Sequence, residues 1–390
     1  MSVNYAPVMQ DKRIELLDVI RGFAVFGILL ANILFMSGFH FTPFSILDEM
    51  PLVPLNKGLY SFAFFTIFGK AYPMFCMLFG ISFYLQYEKR LKSKGNFIRF
   101  FSWRMILLFL IGFAHLLLWP GDVVHFYALV GLLLIPFRQM SSKFFLFAAA
   151  FLFAASIAIA FLTAPKTVNN GETAKPPIAN VQFDGVDYND LKDKVQNEGG
   201  KGLWFLNKQQ YNILFTVQRM KTAIIQLLAF FFLGIYLYTR RLITDKMYNW
   251  KYLLTFFILG AIGKYLLMFV SYELRIIEHV FWSLFFITLL GMVFKSSWGQ
   301  RLLSVFKPVG RMALSNYILQ SIIAAIMFYG LGFGLFGELP LYMVYIIALA
   351  ILVVQTIFSV LWLNKFKFGP IEWFWRSLAY KKNFSLKIRS

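Results

Sequence analysis

Of 390 residues, 59% are apolar and only 14% charged, a balance that excludes an ordinary soluble domain and identifies an integral membrane protein. The net charge of +20 does not imply nucleic acid, because Lys and Arg punctuate apolar segments in alternation instead of gathering on one polar domain. Cys76 is the only cysteine, so an intramolecular disulfide and a Cys-based metal site are both excluded.

The first span, about 14–36, follows the short charged run Asp11-Lys12-Arg13 and is longer than a signal-peptide core, as expected of an uncleaved signal anchor. It carries an acid, a base and an amide. At about 1.5 Å and 100° per residue, Asp18 and Arg21 lie one turn apart, with Asn32 ~16 Å further along and within ~20° of the Arg21 face. A charge in lipid costs at least ~2.5–3.5 kcal/mol, so this polar stripe is expected to face other helices or a wet cavity. The segment 37–57, with His40, Asp48, Glu49 and three prolines, is expected outside.

The second span is read as an interfacial turn followed by a helix, with Lys70 near the outer surface and Pro73 at the bend. Spans at about 104–119 and 123–138 are joined by the hairpin WPGDVVH, which brings His115, Asp122 and His125 together at the outer end. A fifth span, about 143–163, leads to a polar segment over 164–210. Further spans are expected at about 218–238, 251–271, 277–294, 312–333 and 340–362, the ninth carrying Asn316 and Gln320 at i,i+4 as interhelical hydrogen-bonding groups. In the tail, Gly369-Pro370 followed by Trp373, Trp375 and Arg376 reads as an interfacial amphipathic helix with Pro in its first turn.

The proposed cytoplasmic segments hold 25 of the 38 Lys and Arg, whereas the short outer loops hold only Lys57 and Arg275, and this bias fixes the orientation. The expected fold is all-α, a polytopic transmembrane helical bundle of about ten spans with both termini cytoplasmic. It divides into an N-terminal membrane half (1–163), a polar extracytoplasmic loop (164–210), a C-terminal membrane half (211–363) and a basic aromatic cytoplasmic tail (364–390). No spacing of His, Cys or Glu suits a metal, and no P-loop or serine-hydrolase elbow is present.

Four stretches resemble the YeiB family of bacterial membrane proteins, whose C-terminal half is a domain of unknown function: FGKAYPMFCMLFGISF, WRMILLFLIGFAHLLLWPGDVVHFYAL, GRMALSNYILQSII and FGPIEWFWRSLAY. The opening Arg13-x-x-x-x-Asp18-x-x-Arg21-Gly22 with Asn32 also resembles the first helix of heparan-α-glucosaminide N-acetyltransferases, which carry an Asn and a His after that motif; Asn32 matches the Asn, and His40 stands nearer to it than the family pattern has its His. That resemblance implies acyl transfer from cytosolic acyl-CoA to an acceptor on the far side of the plasma membrane. Asn32 would stabilise the oxyanion, and His40 or His115, the latter beside Asp122, would serve as general base. Arg21 with its partner Asp18, together with Arg13, Arg104 and Arg311, would bind the donor phosphates.

Acyl-CoA is then a co-substrate and not a resident cofactor; lipid is the other expected partner, and a homodimer remains open. A transporter or exporter using the same polar path, and a non-catalytic scaffold in which Asp18 and Arg21 are only a packing ion pair, are the alternatives.

Overall fold

Long apolar runs that must satisfy every backbone N–H and C=O within lipid can only close as helices, and that is the architecture seen in the computed structural model. It describes residues 14–93, 95–163, 186–214, 217–271 and 274–388. Helix α1 (Glu15–Met36) leads through a 3₁₀ turn (Phe39–Phe41) and a short α2 (Phe44–Leu47) to α3 (Val53–Thr66). There follow α4 (Ala71–Lys92), α5 (Phe97–Leu116), α6 (Val124–Leu132), α7 (Ser142–Thr163), α8 (Tyr188–Asn197), α9 (Gly200–Leu214) and α10 (Val217–Thr239). The remainder is α11 (Trp250–Phe269), α12 (Arg275–Phe294), α13 (Ser297–Leu303), α14 (Phe306–Arg311), α15 (Ala313–Phe328), α16 (Leu341–Lys365) and α17 (Pro370–Tyr380).

Among the described residues, eight helical segments are long and apolar enough to cross a membrane, with α3 and α4 counted as one, and α15 is a shorter apolar helix. The bundle is thus a helical multi-pass membrane protein. The expected span at 123–138 is cut short: α6 ends at Leu132, ahead of Pro136, which lacks an amide donor and disfavours helical geometry in the residue before it. The span expected at 312–333 stops at Phe328, where the glycine-rich run Gly330 to Gly337 begins, with Gly334 and Gly337 at positive φ.

The second span also differs from the expectation. α3 and α4 are separate helices broken at 67–70, and Pro73 sits in the first turn of α4, where a missing N–H costs nothing. Gly69 supplies the break with φ +75°, and its missing Cβ leaves room for the His279 ring. Within 164–210, Tyr188–Asn197 and the start of α9 are helical.

α1 lies at the centre, against α4, α14, α15 and α16. Its crossing with α14 is backbone on backbone: a Cβ on Gly22 would fall 2.0 Å from the Phe306 carbonyl oxygen, and one on Gly310 1.8 Å from that of Asp18. α7 and α11 form the rim, turning Phe147, Phe151, Leu254 and Tyr265 outward. One end of the bundle carries the basic segments and α17; the opposite end is covered by α8 and α9, where Asn207 Nδ2 donates to the Leu117 carbonyl (2.8 Å).

Candidate functional site

At the end away from the basic segments, the chain leaves α5, turns through residues 117–123 and re-enters as α6. Gly112, one turn before His115, permits this close return, since a Cβ there would lie 2.4 Å from the His125 amide nitrogen. The turn delivers Asp122 between two histidines. Its Oδ1 is 2.8 Å from His115 Nδ1, while its Oδ2 accepts from the His125 amide (3.0 Å) and is 2.7 Å from His125 Nδ1. Burial alone would raise the Asp122 carboxyl, but the hydrogen bonds from His115 and His125 outweigh it and hold it below the usual carboxylate range.

An ionised carboxylate only accepts, so His115 Nδ1 carries the proton facing it, and in the neutral ring Nε2 is left with a lone pair. Nε2 lies 2.8 Å from the Ser321 hydroxyl of α15, which therefore donates to it. Asp122, His115 and Ser321 are 1%, 2% and 2% exposed. Carboxylate, imidazole and hydroxyl in that order constitute the arrangement that activates a serine, recognised by roles and not by chain position.

The His115 ring packs on Tyr317 with centroids 4.8 Å apart. Tyr317, Tyr127 and Val123 close one end of a cavity of about 170 Å³, which extends to Arg21, Arg311, Arg376, Glu372 and Trp375 at the basic end. Arg21 is tied to Asp18 at 2.7 Å, a pair in which Asp18 is buried and Arg21 partly exposed. Arg311 donates to the Lys367 carbonyl. Glu372 of α17 accepts from the amides of Leu314 (2.8 Å) and Ser315 (3.0 Å) and from the Ser315 hydroxyl, capping the first turn of α15. Arg104 lies 3.8 Å over the Trp375 ring, whose Nε1 donates back to the Arg104 carbonyl.

The sequence-derived residues therefore divide. His115 and Asp122 come together, with Ser321 as a third member that the spacing did not reveal. Arg21, Asp18 and Arg311 gather around the cavity mouth, and Arg104 stands behind Trp375. Arg13 lies outside the described residues. Asn32 is half-buried on α1. His40 is buried against Phe35, with centroids 4.3 Å apart, and its Nδ1 has no hydrogen-bond partner among the described residues. Glu372 was legible only as the sole acid of the tail, and Ser321 only as the residue one turn beyond Tyr317.

Asn316 and Gln320 do bridge α15 to α16: Asn316 Nδ2 donates to Ser359 Oγ (3.0 Å), and Gln320 Nε2 to Gln355 Oε1 (3.1 Å). A second polar cluster forms around Lys70, which stands at the start of α4. Lys70 is 3% exposed and pairs with Glu278 at 2.6 Å; Lys264 reaches the same carboxylate at 3.0 Å, and both ammoniums donate to the Phe64 carbonyl. His279 joins this cluster and not the one at Asp122, 3.7 Å from Glu278.

Residues 212–382 match a family model described as a protein of unknown function (DUF418). A 39.9 kDa protein encoded in the amylase 3′ region of Bacillus acidopullulyticus is 30% identical over 397 residues, covering 98% of each chain. The chain belongs to the YeiB-like family. Another relative, YxaH of Bacillus subtilis (strain 168), is 29% identical over 398 residues and 96% of each chain. YeiB of Escherichia coli (strain K12) is 27% identical over 398 residues, 94% of this chain and 96% of its own. All three relatives carry the label uncharacterized. No solved structure matches the chain. The family model takes in Tyr317, Ser321, Arg311, Glu372 and Arg376, while Arg21, His115 and Asp122 lie ahead of it.

Proposed function

We propose that this YeiB-like protein is a transmembrane acyltransferase of the bacterial plasma membrane, moving an acyl group from a cytosolic acyl-CoA to an acceptor on the far side. The observation that carries the reading is the cavity: guanidinium groups of Arg21, Arg311 and Arg376 stand at its basic end, which the charge bias turns toward the cytoplasm, and it closes on Tyr317, directly against His115. Guanidinium forks suit the phosphates of a CoA, and an imidazole oriented by a buried carboxylate suits removal of a proton from a hydroxyl or amine. Asn32 and His40 belong to this reading by resemblance alone.

The test is a calorimetric titration of the purified protein with acetyl- to palmitoyl-CoA. Binding is expected to weaken about tenfold in Arg21→Ala or Arg311→Ala, and His115→Ala is expected to keep binding while transfer falls by ~10²–10⁴. No binding across the series overturns the reading. Proton-coupled transport is the second reading, supported by the Lys70–Glu278–Lys264 cluster, since buried ionisable groups are the material of proton relays. It requires a solute flux that responds to the proton gradient and disappears in Glu278→Gln.

A further inference from the structure

We infer that Ser321 is the nucleophile of the site, carrying the acyl group as an ester between donor and acceptor, and that the reaction proceeds in two half-steps through a covalent intermediate. The inference rests on the acyl-transfer reading above and deepens it. Three observations converge on the hydroxyl.

First, the order of contacts is directional. Asp122 can only accept, so His115 faces it with Nδ1–H and turns a basic Nε2 to Ser321 at 2.8 Å. A serine hydroxyl on a helix is ordinarily satisfied by the carbonyl three or four residues back; here it is spent on an imidazole 206 residues away in the chain.

Second, the elements that meet at the hydroxyl are held in place by contacts other than those of Ser321. Asp122 is held by three nitrogen donors, His115 by Asp122 and by the Tyr317 ring, and α15 by its bridges to α16 and its Glu372 cap. The alignment therefore does not depend on Ser321 itself, as expected when a hydroxyl is the reacting group and not the glue.

Third, Ser321 lies one turn beyond Tyr317 on the same face of α15, ~6 Å further from the cavity mouth. Ser321 itself stands behind the cavity wall, so acylation requires the Tyr317 side chain to turn aside.

In the first half-step Ser321 Oγ attacks the thioester carbonyl, its proton passes to His115 Nε2, and the C–S bond breaks to release CoA, whose thiolate takes that proton. In the second, an acceptor hydroxyl or amine gives its proton to His115 and attacks the ester; the C–O bond to Ser321 breaks and Oγ recovers the proton. Both half-steps balance with no further reactant.

The experiment uses the full-length protein in detergent with a fluorophosphonate probe, whose phosphorus is attacked by an activated serine with loss of fluoride, followed by peptide mass analysis. Modification is expected at Ser321 and is expected to fall by at least ~100-fold in Ser321→Ala and in His115→Ala. Ser321→Cys, in a Cys76→Ser background, is expected to transfer the reactivity to iodoacetamide, which also shows that the site still folds. Absence of modification at Ser321, or modification that survives His115→Ala, overturns the proposal. Undiminished acyl transfer by Ser321→Ala overturns it too, while leaving the acyl-transfer reading intact through direct attack by the acceptor. Modification of Ser321 together with no acyl-CoA binding keeps Ser321 as nucleophile and removes acyl-CoA as its donor.

Discussion

Replacing Glu372 by Ala is expected to detach the tail helix from the bundle. The carboxylate accepts two amide hydrogen bonds from the first turn of α15 and one from the Ser315 hydroxyl, and Glu372 is only 8% exposed. Hydrogen bonds to a charged group contribute about 1.5–3 kcal/mol each, yet water entering from the adjoining cavity recovers part of the loss. A net cost of ~3 kcal/mol follows for Ala, which raises the population of undocked α17 by ~10² at 1.4 kcal/mol per decade. Glu372→Gln keeps an oxygen facing the two amides and loses only the charge, so ~1.4 kcal/mol and a tenfold rise are expected. The assay is limited trypsin digestion at Arg376 and Lys381 in detergent, under conditions where cleavage follows the open population. Cleavage of the Ala variant within threefold of the wild type would refute the capping argument.

Gly112→Ala, which puts a methyl against the His125 amide, is expected to push α6 away and separate Asp122 from His115, abolishing activity while the protein still accumulates; full activity in a folded Gly112→Ala protein would sink the geometry given above. Burial pushes the His40 imidazole down to about 4 from an ordinary value near 6.5. The neutral ring therefore contributes stability that is fully present above about pH 6.5 and lost as the pH falls toward 4, by up to ~3 kcal/mol, and His40→Asn should flatten the unfolding profile across that window. Cysteines placed at Lys92 and Asp190 in a Cys76→Ser background should label from outside at 190 only; outside labelling at 92 would reverse the orientation.

Span positions were legible because length and apolar content set them without reference to neighbours, and α1, α7, α10, α11 and α16 begin and end within a few residues of expectation. The WPGDVVH hairpin likewise announced Asp122 between two histidines, since a turn that short leaves little freedom. Ser321 stayed hidden because its partner is 206 residues away, and nothing in SIIAAI distinguishes a serine facing lipid from one facing an imidazole. Glu372 was lost in a basic tail that reads as membrane anchor, and the burial of Lys70 went unread because charge near a predicted span end is normally solvated. Only the three-dimensional arrival of Glu278 makes a buried Lys70 tolerable.

That arrival has a temporal side. Lys70 is synthesised 208 residues before Glu278, the carboxylate that neutralises it, a delay of about 10–40 s at ~5–20 residues per second. An unpaired ammonium costs at least ~2.5–3.5 kcal/mol at the centre of a bilayer and less at the helix ends where Lys70 stands. Until the α11–α12 hairpin, which carries both Lys264 and Glu278, has been made, Lys70 has no such carboxylate to pair with. The buried pair at the α3–α4 break can therefore form only after the chain has been made as far as α12, whatever the order in which earlier spans enter.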